Sequence, residues 1–117
     1  MSPPDATFRV VSSPKASDYV VKAEGGIDLG CAPCFQKALL DALVSFPDRL
    51  IIDMSEVGFF DMTGVDVLLS THKRGKAIGT EVVVQAPSPA VREFLRGAGA
   101  LDALPVRNTP STRLWSS

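Results

Sequence analysis

The spacing of apolar residues divides this chain into helical and extended stretches. Between Ala32 and Phe46 the apolar positions Phe35, Ala38, Leu39, Ala42, Leu43 and Phe46 recur at three- and four-residue intervals. That spacing gathers them on one face of a helix, and Pro47 closes it. A second helix is expected from near Thr63 to about Arg74, with Val65, Leu68, Leu69 and His72 on one face, Asp66 and Lys73 on the other, and Gly75 as its stop. A third begins at Ser88-Pro89, an N-cap residue followed by a first-turn proline, and carries Val91, Phe94, Leu95 and Ala98 on one face before Gly97 and Gly99 bracket its end.

The extended stretches have a different signature. Phe8 to Val11 and Tyr19 to Ala23 are β-type runs separated by Ser12-Ser13-Pro14, which suits a turn, and Gly25-Gly26 punctuates the second run. Leu50-Ile51-Ile52 and Val82-Val83-Val84 are continuously apolar and largely β-branched. Such runs mark strands covered on both faces, and the first is the best candidate for the middle of a sheet. Leu101 to Val106 is left for a short closing element. The order β-β-α-β-α-β-α implies an α/β fold whose strands pair in parallel through right-handed crossovers, with the opening hairpin as an antiparallel edge. The expectation is a mixed four- to five-stranded sheet with an N-terminal antiparallel hairpin and three to four helices packed mainly on one face.

Length and composition narrow the function classes. With 117 residues the chain suits one domain, spanning 1–117 with a folded core over about 8–107 and Pro- or Ser-containing ends at Met1 to Ala6 and Asn108 to Ser117 suited to fraying. Twelve basic residues against thirteen acidic leave a formal charge of −1, so no global field draws the chain to nucleic acid or to an anionic membrane. No apolar stretch is long enough to span a bilayer and the N-terminus lacks a signal-peptide pattern, which makes the cytoplasm the expected compartment and excludes direct membrane insertion.

The most informative stretch is Leu50-Ile51-Ile52-Asp53-Met54-Ser55-Glu56-Val57-Gly58-Phe59-Phe60-Asp61-Met62-Thr63-Gly64-Val65. It resembles the signature of the STAS family, in which a central strand ends in an aspartate, a short bend leads to a second aspartate, and a hydroxyl-hydroxyl-glycine trio opens the next helix. Glu24-Gly25-Gly26-Ile27-Asp28 is similar to the family's Gly-Glu-apolar-Asp loop, with Gly26 where glutamate often stands. Ala86-Pro87-Ser88-Pro89 with Val91, Arg92 and Leu95 resembles the approach to its third helix, and Gly99-Ala100-Leu101 that helix's ending. The resemblance runs over about residues 8–107.

The resemblance implies a non-enzymatic anti-sigma factor antagonist. In such proteins the unmodified antagonist binds an anti-sigma factor and releases sigma, and the serine-protein kinase activity of that same anti-sigma factor phosphorylates the residue just after the second aspartate. A helix's first turn offers unpaired N–H groups and the positive dipole end to a phosphate, while about −1.5 to −2 added charge disfavours a docked partner. The implied partner-binding residues here are Asp28, Asp61, Met62, Thr63, Gly64 and Asp66. The residue after Asp61 is Met62, which has no hydroxyl. Three readings stay open: Thr63 takes over as phosphorylation site, the domain binds constitutively without a phosphoswitch, or it has diverged to another partner. Thr63-Gly64-Val65-Asp66 also has the Thr-x-x-acid pattern of a simple N-cap, and a methionine suits an adaptable binding surface.

Other constellations compete less well. Cys31-Ala32-Pro33-Cys34 has the spacing of a redox pair at a helix start, though Gly30 stands where thioredoxins carry an aromatic. Metal binding is not expected, since a structural zinc site wants four ligands and the chain has one histidine, His72, which falls on an apolar helix face. His72-Lys73-Arg74 with Lys76 reads as a solvated helix end rather than a nucleic-acid patch. No cofactor is implied. The alternatives are a STAS subunit of a lipid-transport or other membrane-transporter assembly and a CxxC thiol oxidoreductase using Cys31 and Cys34; a homodimer is left open.

Overall fold

The computed structural model describes residues 7–10 as backbone and 18–107 in full. Its strands are β1 (Thr7–Val10), β2 (Asp18–Ile27), β3 (Arg49–Phe60), β4 (Glu81–Gln85) and β5 (Val106–Arg107), and its helices α1 (Ala32–Leu43), α2 (Met62–Ile78) and α3 (Pro89–Gly97). The strands form one sheet in the order β1-β2-β3-β4-β5. β2 to β5 run parallel, and β1 lies antiparallel against Val21 to Glu24 of β2. Each crossover moves one strand along the sheet in the same direction, which for right-handed connections puts every helix on the same face. α1, α2 and α3 accordingly share one core with Val21, Ala23, Leu50, Ile52, Met54, Val82 and Val84.

The continuous apolar runs end up where their composition points. Leu50 and Ile52 face the helices, Ile51 alternates to the other face with its neighbours Val20 and Val83, and all are buried. β3 is thus the central strand and is covered on both sides.

Several boundaries differ from expectation for local reasons. Gly25-Gly26 lies inside β2 and does not end it: the register against β3 shifts between Gly25 and Gly26, and Gly25 has a φ of 91° that a bulge at glycine accommodates. The expected Ser12-Ser13-Pro14 turn, Val11, and both chain ends lie outside the described residues. The first helix stops at Leu43, and Phe46, expected on its apolar face, is 67% exposed with a φ of 50°. Pro47 disfavours right-handed helix at the residue before it, which keeps Phe46 out of the helix. α2 passes through Gly75 and ends at Gly79, whose φ of 82° lets the Thr80 N–H return to the Gly75 carbonyl at 2.8 Å. Gly75 is a packing glycine: a Cβ there would lie 2.6 Å from Val82 Cγ2 and 2.7 Å from the Thr80 carbonyl oxygen. In α3, Val91 and Leu95 are buried as expected, but Phe94 and Ala98 are exposed. His72 is half-buried and its Nδ1 has no hydrogen-bond partner, while Lys73, Arg74 and Lys76 are exposed.

Candidate functional site

In a one-way wound sheet every strand-to-helix junction falls at the same edge. Ile27 and Phe60, the last residues of β2 and β3, are register partners. The residue that follows each strand is an aspartate, so Asp28 and Asp61 leave the sheet at the same edge, from adjacent strands. Each spends its carboxylate on a helix start, but in different ways.

Asp61 is the N-cap of α2. Its backbone is extended, its Oδ1 accepts the Thr63 N–H at 3.0 Å and also the Thr63 hydroxyl, and its carbonyl accepts from Gly64 and Val65 at 3.0 and 3.2 Å. The cap therefore falls on Asp61, not on Thr63 as the Thr-x-x-acid pattern suggests, because the helix starts two residues earlier and the Asp61 carboxylate takes the orphan N–H of Thr63 itself. Asp28 instead closes a turn ahead of α1: its Oδ1 accepts from the Gly30 and Cys31 N–H groups at 3.0 and 3.2 Å, and its carbonyl accepts from Cys31 and Ala32 at 3.0 and 2.8 Å. Cys31 is the N-cap position of α1 and makes no side-chain cap bond. Cys31 is half-buried and Cys34 exposed, and both are free thiols.

The edge thus brings together Asp28, Asp61, Met62 and Thr63. Asp66 is exposed one turn along α2 from Met62, on the same side of the helix at four-residue spacing. Gly64 stands apart from this set because it is buried under the Phe60 ring: a Cβ would come within 2.4 Å of Cε1 and 2.8 Å of Cζ. It shapes the edge through packing and offers no surface.

Met62 is 49% exposed and lines an open groove of about 240 Å³ with Glu93, Phe94, Gly97 and Ala98 of and after α3. Phe94 meets the buried Phe60 edge-on, with centroids 6.5 Å apart and planes at 82°, a preferred aromatic geometry. Leu29, beside Asp28, is 73% exposed, and Phe59 is exposed as well. These apolar side chains next to carboxylates are what a docking surface uses: anchors for burial and charges for selection. Sequence reasoning missed Leu29, Glu93 and Phe94. A signal for Leu29 was present, since an apolar residue between aspartate and glycine repeats the Asp61-Met62 arrangement; Phe94 looked buried because its helical spacing matches that of Leu95.

Among the described residues no group of three or more His, Cys, Asp or Glu is placed to hold a metal ion, and no helix is long and apolar enough to cross a membrane.

A family model described as the STAS domain matches residues 9–112. Among solved structures, an anti-sigma factor antagonist from Mycobacterium paratuberculosis is 28% identical, with 98% of this chain and 96% of that one covered and a TM-score of 0.80. The Bacillus cell fate determinant SpoIIAA in its phosphorylated form is 15% identical over 94% and 97% of the two chains, with a TM-score of 0.70. A sulfate transporter family protein from Wolinella succinogenes is 22% identical over 83% and 81%, also with a TM-score of 0.70.

Proposed function

This chain belongs to the STAS domain family, and from that premise we propose that it is a non-enzymatic docking protein of the anti-sigma factor antagonist kind that binds its anti-sigma factor without a phosphoswitch. The observation that carries this reading is the first turn of α2, where Met62 presents a half-exposed apolar side chain at the position next to Asp61 and the Thr63 hydroxyl is engaged by the Asp61 carboxylate. A phosphate on Thr63 would lose that bond and set about −1.5 to −2 charge against Asp61, which disfavours Thr63 as a substitute acceptor. Asp28, Asp61, Met62 and Thr63 would form the centre of the interface, with Asp66 and the Met62–Phe94 groove at its margin.

Titration with the anti-sigma factors of the same genome tests the reading, with and without preincubation with ATP. One of them binds the wild-type chain with equal affinity in both conditions, and intact-mass spectra show no added phosphate. The Met62→Ser variant acquires one phosphate and loses affinity on the same treatment. Phosphate on Thr63 of the wild type, or an absence of binding across all candidates, would overturn the proposal. The second reading is a STAS subunit of a membrane-transporter assembly; the fold shared with a sulfate transporter family protein keeps it in view, and co-purification with a permease or transport ATPase would favour it.

A further inference from the structure

Cys31 and Cys34 stand one helical turn apart at the start of α1, and nothing in the docking reading uses them. Residues three apart on a helix have Cα atoms about 5 Å from each other, inside the range of roughly 4.4–6.8 Å that a disulfide spans. Their Cβ atoms, at about 5–6 Å, are farther apart than the roughly 3.5–4.5 Å that a bridge needs. Closing the bridge therefore requires one residue to move. Cys34 is held inside α1 and Pro33 fixes the backbone just before it. Cys31 stands at the helix end as its N-cap, with its carbonyl accepting the Phe35 N–H at 3.0 Å but without a side-chain cap bond, so the displacement falls on it and not on Cys34. The Cys31 N–H donates to both the carbonyl and the carboxylate of Asp28, at 3.0 and 3.2 Å, and Asp28 follows β2 at the same sheet edge at which Asp61 follows β3.

We propose that Cys31 and Cys34 are a reversible redox pair, oxidised by a low-molecular-weight disulfide to an intramolecular bridge that reshapes the Asp28 turn. The exposed Cys34 thiolate attacks one sulfur of the small disulfide, forming a mixed disulfide and releasing one thiol. The Cys31 thiolate then attacks the Cys34 sulfur, closing the S–S bond and expelling the second small thiolate. Both protons from the protein thiols end on the two released small thiols, so the protein loses two electrons and the small disulfide gains them. The consequence for partner binding rests on the docking reading, whereas the bridge itself does not.

Equilibration of the reduced chain in buffers of rising glutathione disulfide, followed by alkylation and intact-mass analysis, tests the pair. In the wild type both alkylatable thiols vanish together in a monomer lighter by two hydrogens, and Cys34→Ser gives no such species. Accumulation of glutathione adducts on both cysteines, of dimers linked between chains, or of unreacted dithiol throughout overturns the proposal. Amide NMR of the oxidised wild type shows displaced signals for Gly30, Cys31 and Ala32; a closed bridge that leaves them in place overturns the coupling to Asp28. With an anti-sigma factor that binds the reduced chain, the oxidised chain binds at least about tenfold more weakly. Failure of every anti-sigma factor to bind reduced chain removes the docking reading and leaves the chemical result standing.

Discussion

The two strand-to-helix junctions that hold Asp28 and Asp61 begin alike and are built differently. Each follows a paired apolar residue, Ile27 or Phe60, with an aspartate and then an exposed apolar side chain, Leu29 or Met62. At α2 the aspartate caps the helix directly and the third residue after it, Gly64, lets the Phe60 ring lie against the helix, where Phe94 meets it edge-on. At α1 the aspartate is used in a turn, the cap position has no side-chain bond, and a Cβ added at the turn glycine, Gly30, would meet only Asp28 Oδ1. The first is a packed platform and the second an exposed turn held by hydrogen bonds.

This contrast makes an ordered set of stability predictions, each read as a shift in the chemical-denaturation midpoint at constant slope. Gly64→Ala should cost most, about 2 kcal/mol, because the new methyl overlaps a ring that is itself buried and packed. Pairing it with Phe60→Leu should make the combined loss smaller than the sum, since the clash partner is gone. Asp61→Ala removes a helix cap and should cost about 1 kcal/mol. Asp28→Ala loses comparable bonds at an exposed turn and should cost less, about 0.5 kcal/mol. Gly30→Ala should fall within about 0.5 kcal/mol of wild type, because the added Cβ meets only Asp28 Oδ1 at 3.4 Å. If Gly30→Ala proved as costly as Gly64→Ala, the division into packed platform and exposed turn would fail.

Much of this architecture can be read from the pattern of residues. The apolar runs at Leu50 and Val82 place the central strands, because burial on both faces leaves no room for alternation, and Ser88 caps α3 by accepting the Val91 N–H at 3.3 Å. What is hidden in the sequence depends on contacts between distant elements. Gly75 reads as a helix stop, yet it is a glycine because Val82 and the Thr80 carbonyl press on it. Phe94 and Leu95 stand three and four residues beyond the buried Val91, both spacings of an apolar face, yet Phe94 lies at the rim against Phe60 while Leu95 is in the core. The site shows the same limit. Asp61 and Met62 announce themselves as neighbours in the chain, whereas the placement of Asp28 and Asp61 at one sheet edge and the groove shared with α3 arise from the register of β2 on β3 and from the tertiary placement of Phe94.

We read the edge at Met62 as an apolar docking surface engaged without phosphorylation. Calorimetric titration of an anti-sigma factor with wild-type chain and with Met62→Asp tests it most directly. The charge placed at that half-exposed position should weaken binding at least about tenfold while leaving the unfolding midpoint nearly unchanged, since the substitution lies on the surface of the first helical turn. Equal affinity of the two proteins would contradict the account.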